Sequence, residues 1–257
     1  MPGELRVEQQ EPGITLLTLS HPERKGAINH GMLQSLDAAL DAAVHGAAKV
    51  VLVRGEGGAF SAGYDLSTLD APASDGLPDT YLGQVLSKLQ RLPIPTVALV
   101  EGPAFGAGCE LACACDLRVG DTRARFCMPP ARLGIVYSLD GLARVARLVG
   151  LQRARRMFLT ADRIYAADAH AWGLLDLLAE EGKAAEQAAA LARVLAAMSP
   201  LAIAGMKEGF ALLETPAPSD AQRLRHESLR RAAFESKDAG EGIAAFLERR
   251  PPKFEGK

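Results

Sequence analysis

The chain has 257 residues, of which 48% are hydrophobic and 23% charged, with a formal net charge of -2. That length suits one domain of generous size or one domain with an appendage, and the composition supports a full core and excludes a disordered chain. The slightly acidic balance gives no electrostatic case for nucleic acid or a membrane surface as partner. No stretch approaches the ~20 apolar residues of a spanning helix. The N-terminal run MPGELRVEQQEPG has no apolar core of the secretory kind, so a cytoplasmic protein is expected.

Taken in chain order, segments 4–9 and 13–19 read as strands. A helix is predicted over 31–46, where Met32, Leu33, Leu36, Leu40, Ala43 and Val44 share one face. VVLVRG (50–55) is a β-branched run ending in glycine, the pattern of a strand buried on both faces. A helix over 81–91 leads to a second such strand at 96–102; GAGCELACAC then reads as a helix and DLRVGD as a third strand. Alternating strands and helices imply right-handed crossovers and a largely parallel sheet. From about residue 138 the chain turns helical, with helices predicted over 139–149, 151–159, 165–171, 183–197, 200–213, 218–236 and 238–249, punctuated by Pro200, Pro216 and Pro218. The expected division is a core over 1–195 and a helical C-terminal region over 196–257 that covers the pocket and packs against partner subunits.

Two glycine-rich segments sit where strands end, GEGGAFSAGYDL (55–66) and EGPAFGAGCEL (101–111). Small residues there let the backbone approach a ligand closely. The second segment feeds a helix, so free N–H groups near Ala107 and Gly108 would face the loop with the positive end of the helix dipole. Two such turns at the carboxyl ends of parallel strands suit an anion or oxyanion pocket, although tight turns alone also use these residues. Neither loop carries the dinucleotide fingerprint or a phosphate-loop lysine. Ser61 has Ala59 where a hydrolase elbow needs glycine. Cys109, Cys113, Cys115 and Cys127 lack zinc spacing and a nearby histidine, so they read as small buried residues of a reducing compartment, and no metal is expected. The histidines at 21, 30, 45, 170 and 226 read as surface or structural.

From about residue 13 onward the wording resembles the crotonase (enoyl-CoA hydratase/isomerase) superfamily. The matching stretches are HPERKGAINHGML (21–33), GAFSAGYDL (58–66), IPTVALVEGPAFGAGCELACACDLRV (94–119), LTADRIYAADAHAWGLLD (159–176) and SPLAIAGMK (199–207), in order. The resemblance implies an α/β fold with a ββα spiral core and a helical C-terminal oligomerisation region, assembly as a homotrimer or hexamer, an acyl-CoA thioester substrate and no separate cofactor. It places an oxyanion hole on the backbone N–H groups of Ala62 and Ala107. It places the adenine along Ala62, Gly63, Tyr64, Asp65 and Leu66, and the CoA phosphates near Arg24 and Lys25.

A family hydratase works with two glutamates around one water, since addition needs a base and an acid. Glu110 matches the first, while Pro130 stands where the second belongs. The following segment, LGIVYSLDGLARVARLVG, is similar to the methylmalonyl-CoA decarboxylase branch, which has a tyrosine at the position of Tyr137 but a histidine where this chain has Tyr64. The expectation is therefore an enolate-stabilising lyase that decarboxylates a small malonyl-type acyl-CoA, with Tyr137 placing the carboxylate or supplying the proton and Asp140 a further acid or base. Hydration or isomerisation of an enoyl-CoA by a single carboxylate is the alternative reading, and a non-catalytic acyl-CoA-binding scaffold the other.

Overall fold

The computed structural model describes residues 3–66, 79–214, 219–248 and 250–257. Pro216 and Pro218 lie outside the described residues, as does the side chain of His226. The chain runs β1 (Glu4–Glu11), β2 (Ile14–Ser20), α1 (His30–His45), β3 (Val50–Gly55), α2 (Thr80–Gln90), β4 (Thr96–Val100), β5 (Pro103–Phe105), α3 (Ala107–Ala114), β6 (Leu117–Asp121) and β7 (Arg125–Cys127). It continues with α4 (Leu139–Val149), α5 (Leu151–Thr160), β8 (Ile164–Tyr165), α6 (Ala166–Trp172), β9 (Leu177–Ala179), α7 (Ala184–Ala196), α8 (Pro200–Leu213), α9 (Asp220–Phe234) and α10 (Lys237–Glu248).

The main sheet has six strands in the order β1-β2-β3-β4-β6-β9. Its β1–β2 hairpin is antiparallel, and every later pairing is parallel. The period of two explains the apolar runs. Val51, Val53, Ala98 and Val100 enter the core shared with α1, α2 and α3, while Val50, Leu52, Val97 and Leu99 pack with Ala184, Ala188 and Ala192 of α7. α1 starts where the Asn29 side chain accepts the Met32 N–H at 2.8 Å, and it buries Met32, Leu33, Leu36 and Leu40.

A second sheet, β5-β7-β8, does not follow from the sequence pattern, because runs of two or three residues are too short to show alternation. It branches from the end of β4 and carries the chain into α3. At the C-terminal end, α8 buries none of its residues and leaves Met206, Phe210 and Leu213 exposed. No single described helix is long and apolar enough to cross a membrane.

Candidate active site

The two glycine-rich loops are stitched together. Phe60 and Ser61 donate their N–H groups to Pro103 O at 2.9 and 3.0 Å, and Phe105 N donates to Ser61 O at 2.9 Å. Ser61 is buried and its hydroxyl bridges Gly26 O at 2.8 Å and the Gly63 N–H at 3.1 Å, a structural role that leaves it no freedom as a nucleophile. Gly63 has φ +104, and a Cβ there would lie 2.8 Å from Phe105 O and 3.5 Å from Ala107 N. Only glycine lets the first loop come this near the start of α3.

That contact decides which amides face the cavity. The Ala62 N–H donates to Lys25 O at 2.8 Å, so it is committed to the protein. This corrects the placement of an oxyanion donor on Ala62. The next amide outward is that of Tyr64, whose flanking groups bond to Ile28 (Ile28 N to Gly63 O and Asp65 N to Ile28 O, both 2.8 Å) while its own N–H has no acceptor among the described residues. Ala107 is the first residue of α3, and its N–H likewise has none. Tyr64 and Ala107 are therefore the pair of free donors beside Gly63, at the positive end of a wholly buried helix. The sequence signal for Tyr64 is its place after the strained Gly63.

Both residues line a cavity of about 720 Å³ that also takes in Ala62, Gly63, Leu66, Gly106, Glu110, Pro129, Pro130 and Tyr137. Its outer wall is apolar, from Leu82, Leu133, Ile135 and Val136. Glu110 reaches this wall from the first turn of α3 and is ion-paired to Arg144 Nη1 at 2.6 Å, with both side chains buried. Burial raises the Glu110 pKa above the usual range, the Arg144 guanidinium opposes that, and Asp79 and Asp140 reinforce it. Tyr137 packs its ring edge on Phe158 (centroids 5.5 Å apart, 65° between planes), and its hydroxyl has no hydrogen-bond partner among the described residues. Burial pushes the Tyr137 phenol far above the tyrosine range, so it stays protonated and can only be a hydrogen-bond donor or neutral acceptor. Burial, followed by Asp79 and Asp65, also raises Tyr64. Gly141 permits this packing, since a Cβ there would meet Tyr137 Cδ1 at 2.8 Å and Glu110 Oε1 at 3.0 Å.

Other expected site residues are placed differently. Asp140 is exposed in the first turn of α4 and lines a second cavity of about 500 Å³ with Arg144, Arg147 and Lys207, on the far side of the Glu110–Arg144 pair. It does not line the cavity of Ala107 and Tyr137, which corrects its assignment as an acid or base there. Asp65 is buried and takes Arg24 Nη1 on both oxygens at 2.7 and 2.8 Å, tying the two candidate CoA-contacting stretches together. Lys25 is exposed in a left-handed conformation (φ 52). Sequence reading missed two residues. Arg144 looks like a solvated helix charge, and Asp79 looks like a helix cap. Asp79 makes no capping hydrogen bond and lines the cavity. The four cysteines are buried and unbridged, and no group of three metal-ligating side chains occurs among the described residues.

The model of the enoyl-CoA hydratase/isomerase family matches residues 9–257. The chain is 34% identical to the 2,3-dehydroadipyl-CoA hydratase of Escherichia coli, over 99% of this chain and 100% of that protein. It is 32% identical to an enoyl-CoA isomerase/hydratase of Mycosarcoma maydis, over 95% and 93%. The fold superposes on an enoyl-CoA hydratase from Bacillus anthracis with a TM-score of 0.91 at 25% identity, covering 99% of this chain and 100% of the other. An enoyl-CoA hydratase from Polaromonas superposes with a TM-score of 0.88 at 30% identity, covering 98% and 100%. Free amides, a buried glutamate and an apolar cavity thus stand on a scaffold matched from end to end, and the chain belongs to the enoyl-CoA hydratase/isomerase family as an acyl-CoA enzyme of the crotonase superfamily.

Proposed function

We propose that the protein hydrates an enoyl-CoA thioester, with Glu110 as the single proton-transferring carboxylate. The observation that carries this reading is the placement of Glu110 on the wall that also holds the free N–H groups of Tyr64 and Ala107. The thioester oxygen lies between those two amides. Glu110 takes a proton from water as the oxygen attacks the β-carbon, and the electrons pass to the thioester oxygen as an enolate. The two amides stabilise that charge in a largely apolar cavity. Protonated Glu110 then returns its proton to the α-carbon, so atoms and charge balance with one carboxylate. The apolar wall of Leu82, Leu133, Ile135 and Val136 suits the acyl chain.

Isomerisation is a second reading, favoured by Pro130. A proline fills the place of a second carboxylate, and a 1,3-proton shift needs one base only. Decarboxylation of a malonyl-type thioester, the expectation drawn from Tyr137, lacks comparable support, because the relatives carry hydratase and isomerase names. The deciding assay uses crotonyl-CoA for loss of enoyl absorbance, with malonyl-CoA and methylmalonyl-CoA followed for CO2. Hydration that is lost in Glu110→Gln supports the proposal. CO2 release without hydration overturns it.

A further inference from the structure

The Glu110 carboxylate is held from one side only. Arg144 Nη1 meets Oε1 at 2.6 Å, and Oε2 has no partner among the described residues. The guanidinium is itself clamped by α2, with Nη2 donating to Ser87 Oγ at 2.7 Å and Gly83 O at 3.4 Å, and Nε to Gln90 Oε1 at 3.3 Å. A planar fork with donors on three edges can make all these contacts at once, which a lysine ammonium cannot. Three helices therefore meet at one side chain: α4 supplies it, α2 fixes it, and α3 presents the carboxylate it orients. Arg144 also lines the second cavity, while its partner Glu110 lines the first, so the ion pair lies between the two.

We propose that Arg144 is the positioning residue for Glu110, fixing Oε1 so that Oε2 faces the acyl cavity as the working oxygen. The proposal rests on the enoyl-CoA reading for its chemistry, but its geometry stands apart from it. The groups that face Glu110 are Arg144 and Asp140 from α4, Tyr137 before α4, Asp79 ahead of α2 and Cys109 on α3. Burial, Asp79 and Asp140 all favour the protonated acid, and Arg144 alone among these favours the carboxylate. Without it Glu110 loses both its orientation and the one neighbouring charge that favours its carboxylate form.

The test uses the full chain with Arg144→Gln, Arg144→Lys and Ser87→Ala. Two quantities are read: the pH dependence of kcat on crotonyl-CoA, and the carboxyl titration of Glu110 by carbon-detected NMR, with Glu110→Gln to assign the signal. In Arg144→Gln the Glu110 midpoint is expected to rise by about one pH unit or more, the size expected for loss of an adjacent opposite charge. The ascending limb of kcat should move with it, and KM should stay within about threefold. Arg144→Lys keeps the charge and the fold, so its midpoint should move less while kcat still falls about tenfold from lost alignment. Ser87→Ala should shift both readouts in the same direction by less. A Glu110 midpoint that stays in place in Arg144→Gln overturns the proposal, as does loss of kcat in that variant with an unmoved pH limb, or an Arg144→Lys chain that keeps full kcat. A wild-type chain that fails to turn over crotonyl-CoA counts against the enoyl-CoA reading, while the NMR titration still decides whether Arg144 governs Glu110.

Discussion

Glu110 of α3 and Arg144 of α4 form an ion pair inside the protein, 2.6 Å from Oε1 to Nη1, between two cavities. Breaking a buried pair by removing one partner strands the other charge, at a cost of about 3–5 kcal/mol. Glu110→Ala is therefore expected to lower the stability by that order, read from urea unfolding. Glu110→Gln keeps an acceptor for Arg144 and should cost less, yet lose about 10²–10⁴ in kcat because an amide cannot shuttle the proton. Retained turnover in a folded Glu110→Gln chain would place the chemistry on another group, with Asp79 the next to test.

The same pair sets a pH dependence whose sign follows from the raised Glu110 pKa. Burial leads and lifts it above the ordinary 4.5, Arg144 pulling the other way. A carboxyl with a raised folded pKa binds more protons in the native than in the unfolded state, so its contribution to stability falls as pH rises through that window. Wild type should thus gain stability relative to Glu110→Gln as pH falls from above the folded pKa to below about 4.5, the unfolded value. Turnover should run the other way, rising with pH as the base form appears. The checks are chemical denaturation of both chains across that range and a kcat profile. A stability difference that grows with pH contradicts this account.

Most elements were legible because they obey a period. The α1 face of Met32, Leu33, Leu36, Leu40 and Ala43 and the β3 run Val50–Val53 are bounded by caps and glycines and bury as expected, whereas Val44, expected on the same face, is exposed in the last turn. The strands β5, β7, β8 and β9, of two or three residues, are set by tertiary contact and carry no pattern of their own. At the site, Glu110 and Ala107 were readable from GAGCEL. The second amide was not, because its identity depends on Lys25 O, 37 positions before Ala62, capturing the amide of Ala62 and leaving that of Tyr64. Arg144 pairs with a residue 34 positions away, a distance at which a helix arginine looks like any surface charge.

Ala107→Pro removes one of the two free amides with little backbone change. Ala107 is the first residue of α3, where its N–H has no helical acceptor and proline's fixed φ suits the turn. Loss of one oxyanion donor is expected to lower kcat about 10²–10³-fold. Acyl-CoA affinity, measured by calorimetry with a non-reacting saturated thioester, should change far less. If kcat holds in a folded variant, the amide of Ala107 is not part of the transition-state site.

Pro130 is buried on the cavity wall, at the start of a short 3-10 turn whose carbonyl accepts the Ile135 N–H at 3.0 Å. That carbonyl survives substitution, so Pro130→Glu places a second carboxylate at the cavity while keeping the turn bond. With Glu110 already present, the variant should hydrate crotonyl-CoA about tenfold or more faster, within the range general acid catalysis supplies. A fall in hydration with the fold intact would show that a single-carboxylate geometry is tuned against the second acid.

Gly141 is tightly packed between two side chains of the site. A methyl group there would stand 2.8 Å from Tyr137 Cδ1 and 3.0 Å from Glu110 Oε1, closer than either neighbour tolerates. Glu110 is buried against Arg144 and Tyr137 is half-buried against Phe158, so a shift of either disturbs its own contact. Overpacking of this kind costs about 1–3 kcal/mol in stability. Gly141→Ala should therefore lower the unfolding midpoint modestly and also lower kcat, since even a small shift of the carboxylate spoils its alignment with the substrate. Measured together, Tm and kcat separate the two effects. A drop in Tm with unchanged kcat would mean that Tyr137 alone moves aside and that the position of Glu110 is set entirely by Arg144.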